Sequence, residues 1–206
     1  MDADNRFIPR SGPMFSRSSP AKAQMATDLA IPILADGGWP ALTLRNVAAA
    51  ANVTPQAIAA WFPSVAAMRA AVAAVYGDRW IRERDNLART RTFSRDRVRT
   101  SSDVAEALLP QSWNEDVYDG IWLTIVEAGR WDETVGAAVA TVQDRERDLV
   151  RRLLEPSWPD EVERLEREVD LVLAAVRGLR ASYAPLRSGT TTVRAGSVLA
   201  GLAGAG

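Results

Sequence analysis

The stretch "GGWPALTLRNVAAAANVTPQAIAAWFPS", residues 37–64, decides the fold. Thr43 stands before one short Ala-rich run and Thr54 before a second, each where a helix N-cap hydroxyl accepts a bond from a first-turn amide. Between them lies Asn52, a residue type that tolerates the left-handed backbone of a tight turn. Pro55 follows at a first helical position, where its missing N–H costs nothing, and Pro63 ends the second run. Val47, Ala48, Ala51, Val53 and Ile58 fall where two helices joined by a tight turn must bury small or branched side chains against each other. That is helix-turn-helix spacing. The stretch is nevertheless unusually bare, because between Asp36 and Arg69 the only charged residue is Arg45.

Outward from this centre the helical signals continue. Ser19 and Pro20 form a cap and first-turn pair for a helix that ends at Gly37 and Gly38, and Pro32 inside it predicts a kink. Ser64 opens a long helix running to about residue 90, and further helices are expected over 102–109, 114–130, 132–154, 160–183 and 192–202. No alternating strand pattern appears, so the fold class is all-α. The reading divides the chain into a flexible N-terminal arm (1–19), a tri-helical helix-turn-helix domain (20–66) and a larger C-terminal helical domain (67–206).

Composition narrows the chemistry. With no cysteine and no histidine, disulfides, thiolate metal sites and the commonest general base are all excluded. No nucleophile–base pair or metal constellation is visible, so neither an enzyme nor a cofactor or metal is expected. Net charge is −1, and residues 1–70 hold six Lys or Arg against four Asp, a faint positive bias toward the N-terminal end. No apolar run reaches the roughly 18 residues of a membrane span, and the first residues lack the apolar core of a secretion signal; a cytoplasmic protein is expected.

Gly at the end of the first helix, the Thr-Leu-Arg start, "A-x-x-A-x-V-T" and the closing aromatic-Phe-Pro-Ser together resemble the N-terminal domain of the TetR family of transcriptional regulators. The resemblance covers residues 20–70 or so. It implies a homodimeric DNA-binding repressor whose C-terminal domain dimerises and binds a small ligand. By that resemblance the helix from Pro55 to Trp61 enters the major groove of a palindromic double-stranded operator, and Thr43, Arg45, Thr54, Gln56 and Trp61 face DNA. Gln56 is the expected base reader, because a side-chain amide can pair bidentately with adenine. Lys22 and the arginines of the arm could lie along the backbone. Two positions depart from the family pattern: Ala59 stands where a Tyr is usual and Val65 where a Lys is usual, and both missing groups would touch phosphate.

In the C-terminal part, Trp113, Tyr118, Trp122 and Trp131, with Glu127 nearby, are the candidate ligand-binding residues, since helical ligand domains line pockets with aromatics and a few polar groups. Trp122, at helical spacing from Ile125, also fits plain core. Glu146 interrupts an apolar row between Val142 and Leu149; a cavity or the solvent could receive it, and the mixed charges of "QDRERD" favour solvent. Val162, Leu165, Val169, Val172, Val176, Leu179 and Tyr183 repeat at spacings of three and four, an a/d seam. In a TetR-like chain that seam is the expected dimer interface, with intramolecular packing taking part of it. The expected function is therefore a repressor released by a small, largely apolar ligand. The competing reading is the same fold without DNA binding, serving as a ligand-sequestering or protein-interaction module.

Overall fold

A computed structural model describes residues 20–91 and 100–182. The helices are α1 (Pro20–Ala41), α2 (Leu44–Ala50), α3 (Pro55–Ala59), α4 (Val65–Arg91), α5 (Ser101–Leu108), α6 (Trp113–Ala128), α7 (Glu133–Leu154) and α8 (Val162–Ser182), with a 3-10 turn (Glu155–Ser157) between the last two. No strand occurs among the described residues, as the all-α reading expects. The arm, Tyr183 and the helix expected over 192–202 lie outside them.

Local chemistry accounts for most helix ends. Thr43 and Thr54 cap α2 and α3 through Asn46 N (3.1 Å) and Ala57 N (3.3 Å), and Ser64 Oγ accepts from Ala67 N in the first turn of α4. Asn52 takes the left-handed conformation, φ 54°, as its place in the turn requires. At α5 the sequence reading starts one residue late. Thr100 is the cap, and Asp103 returns a bond to its backbone, a reciprocal capping box. The break at the end of α1 falls at Gly38, with φ 63° and ψ −165°, where the sequence reading ends the helix, and the kink expected at Pro32 is not matched by a departure from helical angles. Pro32 is exposed, so its ring meets solvent, whereas Gly38 adopts a conformation that a side chain would oppose.

One apolar core runs from Ala26 of α1 to Val176 of α8. Helix α4 is its axis, lying along α1 on one side and α7 on the other. Gly77 permits the second approach: a Cβ there would lie 2.6 Å from Val142 Cγ2 and 2.9 Å from the Trp122 ring. Helix α8 closes the molecule by packing on α5 and α7. None of the described helices is long and apolar enough to cross a membrane.

Candidate functional site

The N-terminal site is built by α2, α3 and the turn between them. Leu42, Val47, Ala48, Ile58 and Phe62 are all essentially buried, so the two short helices are clamped on one apolar floor. Val53, expected in that floor, is instead 43% exposed; it follows the left-handed Asn52, and its N–H bonds back to Ala48 O. Arg69 of α4 reaches across to Leu42 O (3.0 Å) and Trp39 O (3.3 Å) and lies over the Trp39 ring, fastening the α1–α2 connection. It is thereby withdrawn from any surface role. Of the expected DNA-facing residues, Arg45, Thr54 and Gln56 are exposed, while Thr43 and Lys22 are half-buried. Trp61 is half-buried and packs on the core beside Phe62. Arg45 has no ion-pair partner among the described residues. Ala59 is exposed and Val65 packs on the core, so neither replaces the polar contact that its position usually supplies.

The second site lies within the C-terminal helices. Arg84 of α4, Asp119 of α6, Glu146 of α7 and Arg180 of α8 are each no more than 4% exposed. Arg180 donates to Glu146 Oε1 (2.6 Å) and to Leu108 O (2.9 Å), and its Nε lies 3.1 Å from Asp119 Oδ2 without hydrogen-bond alignment. Arg84 approaches Asp119 Oδ1 (3.4 Å) and Leu108 O (3.3 Å). Trp80 Nε1 donates to the same Asp119 Oδ1 (2.7 Å), and its ring receives the Arg180 guanidinium 4.8 Å from the centroid while stacking on Trp122. Arg177, partly exposed, adds Nε to Glu146 Oε2 (3.0 Å). Beside this network Tyr76 donates to Tyr118 O (2.9 Å), and burial, followed by the neighbouring Tyr118 and Asp119, pushes its phenol far above the ordinary range. Such buried ions persist only because each has a partner.

No protein-family model matches the sequence, and no curated protein matches it either. Solved structures do. A TetR-family transcriptional regulator from Rhodococcus sp. superposes with a TM-score of 0.64 at 14% identity, over 89% of this chain and 96% of that one. A transcriptional regulator from Pseudomonas aeruginosa PAO1 gives 0.64 at 18% identity, over 93% and 95%. A TetR transcription regulator from Haloarcula marismortui ATCC 43049 gives 0.64 at 13%, over 90% and 97%. The chain has the TetR fold. At identities this low the likeness is one of architecture, and it extends across both sites.

Within that TetR-like frame the five expected ligand residues do not converge. Trp122 and Glu127 line a cavity of about 460 Å³ between α6, α7 and α8; Trp113 lines one of about 330 Å³ between α1 and α6; Tyr118 lines an open one of about 570 Å³ between α4 and α6. Trp131 is 85% exposed. Glu146 corrects the solvent reading, since it is buried at the foot of the 460 Å³ cavity beneath two arginines. The seam of α8 is also corrected in part. Leu165, Val169, Val172 and Val176 are buried in the chain's own core against α5 and α7, and Leu179 packs partly on it; Val162 is exposed. Periodicity identified a buried row, and the groove between α5 and α7 already covers it. The outward side of α8 presents Glu163, Arg167 and Asp170 in its first half and Ala174, Gly178 and Ala181 in its second.

Arg84, Asp119 and Arg180 escaped the sequence reading. A signal was present: Tyr76, Trp80, Arg84 and Ala88 form one row at spacing four, as do Val172, Val176 and Arg180. A charge that continues an apolar row points inward with it.

Proposed function

We propose that the chain is a TetR-like transcriptional regulator that binds a palindromic DNA site as a homodimer and releases it when a small molecule occupies the C-terminal helices. The observation that carries this reading is the capped helix-turn-helix on its buried apolar floor, with Gln56 exposed in the first turn of α3 and Arg45 exposed in the first turn of α2. Residues 37–77 contain no acidic side chain, so nothing on that stretch repels phosphate. Thr43 and Thr54 use their oxygens as helix caps, which leaves each O–H to donate to a phosphate. The homodimer would form through the small-residue second half of the outward side of α8 rather than through the buried seam. Release is population shift: a ligand favouring subunit positions that misalign the two α3 helices lowers DNA affinity by its differential affinity.

The experiment is binding of the purified protein to DNA flanking its own gene over a salt series, for wild type and for Gln56→Ala/Arg45→Ala. Saturable submicromolar binding lost in the double variant supports the regulator. Arg45 and Lys22, the cations of the described head, should together give a slope of log K against log salt of about −4 for the dimer, and each arginine of the arm that engages a phosphate should steepen it by about one. Absence of specific binding even at about 50 mM salt, together with none in a random-sequence selection, favours the second reading. That reading, a TetR-like module without DNA binding, draws on the loss of phosphate-directed groups at Ala59 and Val65.

A further inference from the structure

We infer that the cavity between α6, α7 and α8 is a site for an amphipathic organic acid, with Arg177 and Arg130 holding the anion and Trp122, Leu123 and Val126 carrying the apolar body. This deepens the regulator reading and rests on it only for the consequence at DNA. At about 460 Å³ the cavity suits a drug-sized molecule.

Donor and acceptor balance sets the ligand's charge. The cavity's two carboxylates are already engaged: Glu146 holds Arg180 on Oε1 and Arg177 on Oε2, and Glu127 pairs with Arg130 Nε at 3.1 Å. The cations are not exhausted. A guanidinium has five N–H donors, and among the described residues Arg177 spends only Nε and Nη2 on Glu146, while Arg130 spends only Nε. The amide of Gln143, also on the wall, has no hydrogen-bond partner among the described residues. A cationic ligand would meet Arg130 and Arg177 with both cavity carboxylates already paired. A neutral apolar one would strip water from the spare donors and return nothing, which is the costly side of a hydrogen-bond exchange. A carboxylate or sulfonate satisfies them, and the wall formed by Trp122, Leu123 and Val126 receives the hydrocarbon. Two neighbouring cavities are less suited: the open one between α4 and α6 carries Glu83 and Glu115 beside its arginines, and the one between α1 and α6 carries Asp116 and Asp119 beside Arg180.

The test is fluorescence titration of the full chain, without DNA, by 8-anilinonaphthalene-1-sulfonate and by N-phenyl-1-naphthylamine, the same aromatic body without the anion. The expected result is saturable binding of the sulfonate at one site per chain, roughly tenfold or more tighter than the amine, as one or two charge-assisted hydrogen bonds imply. Arg177→Gln should weaken the sulfonate roughly tenfold and leave the neutral probe unchanged, and Arg177→Lys should recover most of the loss. In the wild type, octanoate should displace the sulfonate and octanamide should not. Equal affinity of the two probes, equal displacement by acid and amide, an Arg177→Gln protein that binds the sulfonate normally, or no saturable binding would each overturn the inference. Because no DNA is present, failure here leaves the regulator reading intact, and failure of the operator experiment leaves this site intact.

Discussion

The reading head and the C-terminal helices solve the same packing problem with opposite materials. From α1 to the start of α4 the floor is Leu42, Val47, Ile58 and Phe62, and the arginine that reaches across it, Arg69, bonds backbone carbonyls. From α4 to α8 the centre is a four-charge network around Trp80. An apolar floor tolerates small shifts, since dispersion contacts have no direction, whereas a buried ion pair fails as a unit once one partner leaves. The head should therefore be plastic and the C-terminal half brittle.

The largest expected effect tests that brittleness. Arg180→Met should cost about 3–5 kcal/mol in urea denaturation, because Glu146 and Asp119 lose a buried partner. Glu146→Leu combined with Arg180→Met should cost clearly less than the sum of the two single changes; full additivity would show that the charges do not act as one network. Gly77→Val should cost about 1–3 kcal/mol by forcing α4 from α7, read by the same denaturation curves. In the head, Thr54→Ala should cost only about 1 kcal/mol through the lost cap, and a loss as large as that of Arg180→Met would erase the contrast. Smallest at neutral pH is Asp28→Asn, which breaks the exposed pair with Arg79 and should change stability by less than about 1 kcal/mol.

A pH series sharpens the same contrast. Tyr76 remains a neutral phenol in the fold while the unfolded chain ionises it near its ordinary value of 10.0, so stability is complete below that pH and falls above it. Tyr76→Phe should remove that alkaline slope. At the acid end the Thr134 hydroxyl, helped by the Thr134 and Val135 amides, holds Asp132 below its ordinary 3.8. The cap of α7 therefore contributes fully above that value and is lost only as pH falls through the lowered one.

The two halves were unequally legible in sequence for the same physical reason. Caps, prolines and the left-handed Asn52 act within a few residues, so Thr43, Thr54, Pro55 and Ser64 mark their helices directly. Gly38 likewise marks the end of α1 locally, since its left-handed φ suits glycine, while backbone angles stay helical through Pro32. The buried charges depend on distant partners. Glu146 looks solvated among "QDRERD" until Arg180, 34 positions later, is brought over it. The seam of α8 was legible as a buried row, but spacing does not say which surface covers it, and the chain's own α5 and α7 do.

Arg180 also sets an order of events during synthesis. It bonds Leu108 O, 72 positions earlier, and Glu146, 34 positions earlier. As the chain emerges, α7 arrives carrying Glu146, whose partners Arg177 and Arg180 are not yet made, and water must serve it meanwhile. The head, whose contacts are mostly local, can dry its floor first. The C-terminal half then stays hydrated until α8 leaves the ribosome and shuts it in one late step.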